Sequence, residues 1–446
     1  MSTTLFGTDG IRGVAGERLS AELAMQVGRA AAIVLAERRG EHPLFLVGRD
    51  TRLSGPMLEA ALVAGITSAG GRAEMTGIIP TPGLAALVIK RGADAGVVIS
   101  ASHNPFDDNG IKFFSHEGLK LCDEEETEIE TRVATAHLST RTGPGIGAAE
   151  PIEGALESYV WDVVRRIPLD LSGLRIVVDC ANGAMYRAAP LGLAESGADV
   201  EVRHADPDGR NINAGCGSTH IHGLQDAVRR GGFDLGLAYD GDGDRVLAVD
   251  ARGELVDGDF IIAILASHLK NSGRLRSDTV VTTVMTNLGF KRAMEREGIN
   301  VVTTAVGDRY VIAEMLAGDY VLGGEQSGHV INREVSTTGD GLATSLLLLQ
   351  ALAEMGVPLH EAARIMERLP QKLVNVPVRD KGALEDATGV WEAVARESER
   401  LVDAGRILVR PSGTEPLVRI MVEAPTSEEC DAVCKRLAGV IANQLG

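Results

Sequence analysis

Short apolar runs alternate along most of this chain with longer amphipathic stretches, and many of the apolar runs stop abruptly in glycine-rich polar loops. The short runs are expected to be buried strands and the periodic stretches helices. Leu44 to Val47, Ala73 to Ile79 and Ala95 to Ile99 are predicted strands. Ser20 to Arg38, Gly55 to Ser68 and the stretch from the Pro80-Thr81-Pro82 turn to about Lys90 are predicted helices, with Ser20 supplying an N-cap hydroxyl. Strand and helix in alternation argue for a parallel sheet covered by helices. Glu124 to His137 predicts an acidic, exposed helix, and the Gly- and Pro-rich Arg141 to Pro151 predicts a linker.

A second α/β unit follows. It has a helix at Ile152 to Arg166 and strands at Leu174 to Val178, Val200 to His204, Leu235 to Tyr239 and Val246 to Val249. A third has strands at Thr279 to Val284, Asn300 to Thr304 and Tyr320 to Leu322, with helices at Phe260 to Lys270, Leu288 to Glu297, Tyr310 to Leu316 and Gly341 to Met355. From about Lys372 the order changes: a strand at Leu373 to Val378, a helix within Ala383 to Ala404, strands at Ile407 to Arg410 and Val418 to Val422, and a helix from Ser427 to Leu445. The expected domains are three α/β domains at 1–150, 151–255 and 256–370 and an α+β domain at 371–446.

Composition narrows the function. The 446 residues carry a net charge of -18, which disfavours nonspecific nucleic-acid binding, since that affinity rests on cationic patches. Five scattered cysteines without zinc-site spacing suggest reduced thiols in a cytoplasmic protein. The opening MSTTLFGTDG lacks the basic and apolar regions of a secretion signal, and no apolar run reaches the roughly 18 residues of a membrane span.

The candidate chemistry lies in the loops. Ile99 to Phe114, ISASHNPFDDNGIKFF, follows a strand with Ser100, Ser102, His103 and Asn104; Pro105 stops the ladder, and Asn109-Gly110 predicts a second turn before Ile111 and Lys112. The carboxyl end of a strand, where α/β folds bind ligands, thus delivers a hydroxyl, an imidazole and an ammonium. Asp240-Gly241-Asp242-Gly243-Asp244-Arg245 places three carboxylates at alternate positions on a glycine loop, a donor set for Mg²⁺ or Ca²⁺. It is no EF-hand: Arg245 stands where that loop needs glycine and Ala251 where it needs Glu. In Gly323 to His329, Glu325 and Ser327 would face one side of an extended loop and suit sugar hydroxyls. Arg410-Pro411-Ser412-Gly413-Thr414-Glu415-Pro416, with Arg419 nearby, offers guanidinium, hydroxyl and backbone amide groups to a phosphate. Phe6 to Gly13, FGTDGIRG, predicts a loop holding Arg12.

FGTDGIRG, SASHNPFDDNGIK, DGDGDR, GGEQSGH and RPSGTEP occur in the order of the α-D-phosphohexomutase superfamily, which the chain resembles from Phe6 to Pro416. The opening motif, GEQSGH and Val306 to Tyr310 are most similar to the bacterial subgroup acting on glucosamine phosphates. The resemblance implies three similar mixed-sheet α/β domains plus a C-terminal α+β domain around a central cleft. It implies a phosphoryl group on Ser102 and one Mg²⁺ bound by Ser102, Asp240, Asp242 and Asp244. Glu325 and Ser327 would hold sugar hydroxyls, and Arg410, Ser412, Gly413, Thr414 and Arg419 the nonreacting phosphate. The implied reaction interconverts glucosamine 6- and 1-phosphates through a 1,6-bisphosphate, which also serves as activator. Lys112, His329 and His103 are the candidates for proton transfer, and Arg12 and Arg245 for charge on the phosphate in flight. The expected partner is a hexosamine phosphate, with no nucleic acid or membrane, and a homodimer is the candidate assembly. Mutases acting on glucose or mannose phosphates are the alternative, followed by a Mg²⁺-dependent sugar phosphatase and a noncatalytic sensor.

Overall fold

The structure, a computed structural model, describes residues 5–7, 9–135, 140–412 and 416–446. Packing divides the chain into two units, Met1–Val284 with Ile299–Arg364 and Met285–Gly298 with Ile365–Gly446. The first unit holds three sheets. Its first sheet contains β1 (Ile11–Val14), β2 (Leu44–Arg49), β3 (Arg72–Ile78), β4 (Ala95–Ile99), β5 (Asp108–Ser115) and β6 (Ala149–Pro151) in the order β1-β5-β4-β2-β3-β6. The second contains β7 (Arg175–Asp179), β8 (Asp199–Arg203), β9 (Leu235–Tyr239), β10 (Val246–Asp250) and β11 (Leu255–Val256) in the order β11-β10-β9-β7-β8. The third contains β12 (Thr279–Thr283), β13 (Asn300–Thr304), β14 (Leu322–Gly324) and β15 (Val330–Asn332) in the order β13-β12-β14-β15.

The three sheets share one device. In each, parallel strands are followed by one that turns back antiparallel beside its predecessor: β5 on β4, β10 on β9 and β15 on β14. The loops holding Ser102, the three aspartates and Glu325 are therefore the connections of antiparallel pairs, pinned by ladder bonds on both sides. Strands buried on both faces explain the unbroken apolar runs. Helix Ala21–Arg39 begins at Ser20, whose hydroxyl accepts from the Leu23 amide at 3.2 Å. Its Ala24, Val27, Ala31 and Val34 join Phe45, Val47 and Val97 in the first core.

The second unit holds an antiparallel sheet of β16 (Gln371–Pro377), β17 (Arg406–Pro411) and β18 (Leu417–Glu423), ordered β16-β18-β17. Helices Thr388–Leu401 and Ser427–Leu445 bury Val390, Leu401, Val433 and Leu437 with Val418 and Ile420. The segment 285–298 belongs here as well: Asn287 caps helix Leu288–Arg296 and donates to the Leu369 carbonyl at 3.0 Å. Cys430 and Cys434 are both buried.

Several local expectations change. Asn109 and Gly110 lie within β5, because that strand is paired on both edges; a Cβ on Gly110 would approach the Ser100 carbonyl oxygen to 2.5 Å, so glycine serves close packing rather than a turn. The expected FGTDGIRG loop includes the start of β1, where Ile11 and Arg12 pair with Ile111 and Gly110. The expected linker contributes β6, which pairs parallel with β3. Helices Met185–Glu195 and His222–Gly231 were not expected; Pro190 interrupts the pattern of the first, and only Leu224, Ala227 and Val228 of the second are buried. The acidic helix runs Asp123–Ala134 with Ile129 alone buried, and His137 lies outside the described residues.

Candidate active site

Ser102 sits just past β4 with φ of 51°, a left-handed conformation that costs a non-glycine residue about 1–2 kcal/mol. A buried guanidinium holds it there. Arg52 donates to the carbonyls of Ser102 at 2.9 Å, Asn104 at 2.8 Å and Asp108 at 2.9 Å, and also to that of Pro105. Its Nε pairs with Asp50 at 2.8 Å, and neither side chain is exposed. Asp50 also accepts from the Ser100 hydroxyl at 2.5 Å; burial raises its pKa although Arg52 pulls the other way. From the second sheet, Asn213 donates to the Ser102 and Asn104 carbonyls at 2.9 and 3.0 Å. The backbone of Gly241 approaches so closely that a Cβ there would lie 2.4 Å from the Ser102 oxygen.

The aspartate loop faces this hydroxyl. Ser102 Oγ donates to Asp240 Oδ2 at 2.5 Å. Asp240, Asp242 and Asp244 are buried and present oxygens within 4.8 Å of one another. Asp242 Oδ2 accepts from Thr81 Oγ1 at 2.8 Å and Lys112 Nζ at 3.0 Å. Burial, and then the charges of Asp244 and Asp242, raise the Asp240 pKa. Asp244 is also buried, but His329, Lys112 and Arg245 overcome that penalty and hold it below the usual carboxylate range. Asp242 Oδ1 and Asp244 Oδ1 are buried acceptors without a hydrogen-bond donor among the described residues. All-carboxylate donors, two of them with an oxygen left over, fit a hard cation such as Mg²⁺.

The cations and imidazoles form a second ring. His103 Nδ1 lies 3.4 Å from Ser102 Oγ and 3.3 Å from an Arg245 nitrogen. Burial, then Arg245 and Arg12, lower its pKa to about 4, so the ring is neutral and Nδ1 is an acceptor beside the serine. Lys112 is buried against Asp242 and, at 3.3 Å, Asp9. Burial opposes its charge, but those carboxylates prevail and keep it protonated. His329 has Nδ1 3.5 Å from Asp244 and accepts from the Gly339 amide through Nε2 at 3.1 Å. Burial opposes its charge, but the Asp244, Asp308 and Glu325 carboxylates prevail and raise its pKa; with Nε2 turned to Gly339, the proton on Nδ1 faces Asp244. Arg12 pairs with Asp9, which Lys120 also contacts at 2.6 Å. Arg245 Nε stands 3.7 Å from Asp244 Oδ1.

The third loop is a tight turn rather than an extended segment: the Glu325 amide donates to the His329 carbonyl at 2.9 Å, and Gly328 donates back to the Glu325 carbonyl at 3.0 Å. Glu325 Oε1 accepts from the Gly307 amide at 3.1 Å, and the buried Ser327 Oγ has no hydrogen-bond partner among the described residues. A cavity of ≈ 180 Å³ is lined by Asp9, Asp244, Arg245, Val306, Gly307, Asp308, Glu325 and His329, so the first unit brings loops from its three sheets together. In the second unit, Arg410 and Arg419 are register partners on β17 and β18. Burial, then the Arg419 charge, lowers the Arg410 pKa. The Ser412 carbonyl accepts from Lys381 Nζ at 2.8 Å. Gly413 and Thr414 lie outside the described residues.

Sequence reasoning did not single out Asp50, Arg52 or Asn213 for the serine, nor Asp9, Lys120 and Asp308 for the cation network. The run Gly48-Arg49-Asp50-Thr51-Arg52 at a strand end was the available signal for the first pair, because charges there are either solvated or structural.

The fold and the site carry the marks of phosphohexomutases. The phosphoglucomutase/phosphomannomutase alpha/beta/alpha domains I, II and III match residues 3–139, 157–253 and 257–369, and the C-terminal domain of that family matches 373–440. The chain therefore belongs to the phosphoglucomutase/phosphomannomutase family. Among its relatives, a phosphoglucosamine mutase of Desulforudis audaxviator is 54% identical over 439 residues, covering 98% of this chain and 97% of the relative. A phosphoglucosamine mutase of Corynebacterium jeikeium is 52% identical over 442 residues, covering 98% and 99%. Two solved structures share the fold. A Burkholderia thailandensis phosphoglucomutase/phosphomannomutase family protein has a TM-score of 0.83 at 24% identity, covering 99% of this chain and 98% of that one. Aspergillus fumigatus N-acetylphosphoglucosamine mutase, in complex with GlcNAc-6P and magnesium, has a TM-score of 0.72 at 18% identity, covering 98% and 95%. Among the described residues no single helix is long and apolar enough to cross a membrane.

Proposed function

We propose that this chain is an isomerase that interconverts glucosamine 6-phosphate and glucosamine 1-phosphate, with Ser102 as the carrier of the phosphoryl group. The supporting observation is the buried Ser102 hydroxyl, 2.5 Å from the first of three clustered aspartates and fixed by Arg52 and Asn213. A Mg²⁺ held by Asp240, Asp242, Asp244 and the phosphorylated Ser102 would supply Lewis-acid neutralisation of the transferring group.

The chain's own residues meet the remaining demands. Arg52 and Asn213 fix the Ser102 backbone, so little reorganisation is needed at the moment of transfer. His103 Nδ1, neutral and beside Oγ, takes up a proton from the serine when it is free and returns it. Lys112 stays charged and, with Arg12 and Arg245, balances the phosphoryl oxygens. His329 carries a proton on Nδ1 beside Asp244, at the wall of the cavity where Glu325 and Ser327 are assigned the sugar hydroxyls. Arg410, Ser412 and Arg419 are assigned the nonreacting phosphate. Two adjacent guanidiniums can both donate to one dianion. A glucosamine 1,6-bisphosphate that turns over between two transfers uses one phosphoserine for both directions. The domain limits 150, 255 and 370 remain our proposal for the parts that supply these four loops.

The test follows product and enzyme together. Phosphorylated protein with Mg²⁺ and glucosamine 6-phosphate should yield the 1-phosphate, faster than glucose or mannose 6-phosphate yields its isomer. Intact mass should show one phosphoryl group on wild type and none on Ser102→Ala. Release of inorganic phosphate in place of the isomer would make the protein a phosphatase and end this reading.

A further inference from the structure

The carboxyl end of the second sheet carries more than the aspartate loop. Asp179 is the last residue of β7, and His204 immediately follows β8; the two strands are parallel neighbours, with Asp179 registered against Arg203. Cys216 lies in the next loop, which is tied to Asp179 by the Gly217 amide at 2.9 Å. We propose that Asp179, His204 and Cys216 form a second metal site, taking a borderline-soft divalent cation such as Zn²⁺ with solvent completing the shell.

The donors converge. One ligand atom from each lies within 4.8 Å of the others, and His204 Nδ1 is 3.0 Å from Asp179 Oδ2. Zinc bonds of about 2.0–2.3 Å set tetrahedral donors roughly 3.3–3.7 Å apart, so closing on an ion needs shifts of about an ångström or less. One nitrogen, one sulfur and one oxygen make a set that zinc accepts and Mg²⁺ does not. The site thus differs in kind from the all-oxygen aspartate loop.

Cys216 is the second observation. Its side chain is 0% exposed. Its sulfur receives only a 4.0 Å contact from Asn182, and its own hydrogen donates to no group among the described residues. A dication would give this buried sulfur the partner it lacks, since a coordinated thiol is deprotonated outright. His204 is 42% exposed and gives an ion a path from solvent.

The cluster is also wired to the serine. Asp179 Oδ1 accepts from the Ala181 amide at 2.9 Å, the Ala181 carbonyl accepts from the Asn213 amide at 2.9 Å, and Asn213 holds the Ser102 carbonyl.

The experiment uses the full chain, stripped with EDTA and returned to excess Mg²⁺ so that the aspartate loop is satisfied. Titration with Co²⁺ should produce one equivalent's worth of thiolate-to-cobalt charge-transfer absorption, abolished by stoichiometric Zn²⁺. Cys216→Ser should lose the band and Cys122→Ser, at the exposed thiol, should keep it. His204→Ala, at a solvent-facing position, should weaken Co²⁺ binding by about tenfold or more. No band in wild type, or an undiminished band in Cys216→Ser or unchanged affinity in His204→Ala, overturns the site. The absorption does not depend on turnover, so its failure leaves the proposed mutase reaction untouched.

Discussion

The serine centre and the Arg410–Arg419 pair handle charge in opposite ways. Around Ser102 most buried charges are paired: Lys112 lies between Asp242 and Asp9, Asp244 faces His329 and Arg245, and Asp50 faces Arg52, while Asp240 is the exception, raised by burial and by its neighbouring aspartates. In the second unit two guanidiniums share a register position, and burial, then the Arg419 charge, lowers the Arg410 pKa. A matched cluster stays assembled without substrate and can orient a reacting group in advance. Two guanidiniums held side by side both gain when an anion arrives, which suits a phosphate holder better than a reacting centre.

Breaking the centre should cost far more than breaking the pair. Ser102→Ala should reduce isomerisation on the order of 10⁴-fold or more while leaving substrate binding largely intact, as measured by turnover and calorimetry. Asp242→Asn should lower kcat by roughly 10²–10³-fold and weaken Mg²⁺ binding, since it removes charge from the site and leaves Lys112 with less compensation. Full activity of wild type in EDTA would contradict that assignment.

Arg52 separates matching from catalysis. Arg52→Met strands a buried carboxylate and should cost about 3–5 kcal/mol in denaturant unfolding. Adding Asp50→Leu should recover part of that stability. It should not recover kcat, which falls on the order of 10²-fold because the carbonyls of the serine loop remain unheld. If the double variant is as active as wild type, the pair is only packing. Arg410→Ala should lower kcat/KM by about 10–100-fold, and equally for the 6- and 1-phosphates, since one charged hydrogen bond contributes about 1.5–3 kcal/mol. Unequal loss would mean that the two orientations do not share an anchor.

The smallest effect sharpens the contrast. Asp340 is buried, and among the described residues its partners are neutral, Tyr159 Oη at 2.8 Å, the Ala343 amide at 2.9 Å and the Leu342 amide, so burial prevails and raises its pKa from 3.8 to about 6. A carboxyl raised by folding stabilises fully below pH 3.8, and that contribution is lost as pH rises through 6. Asp340→Asn keeps the cap but cannot ionise. Relative to it, wild type should lose about 1 kcal/mol between pH 5 and pH 7 in urea melts.

Much of the strand framework was legible because doubly covered strands are continuous apolar runs, as at Ala95–Ile99 and Leu235–Tyr239. The direction of β5, β10 and β15 was not. An apolar run carries no sign for parallel or antiparallel pairing, and Asn109-Gly110 is turn-like in sequence yet paired on two edges. At the site, the aspartates were legible from alternate spacing and glycine. Arg52 and Asn213 were not, because they act through backbone carbonyls, which every residue possesses. Asp9 was visible only as part of a glycine-rich opening, since its partners Lys112 and Lys120 lie about a hundred residues away.

The second unit takes its residues from two separate stretches, 285–298 and 365–446. Glu423 accepts from the Leu288 amide at 2.9 Å, and Asn287 accepts from the Leu369 amide at 3.0 Å, so the short stretch closes polar groups that the long one leaves open. A fragment of the last eighty or so residues would therefore lack the partners of Glu423 and Leu369 unless 285–298 were supplied with it as a second peptide.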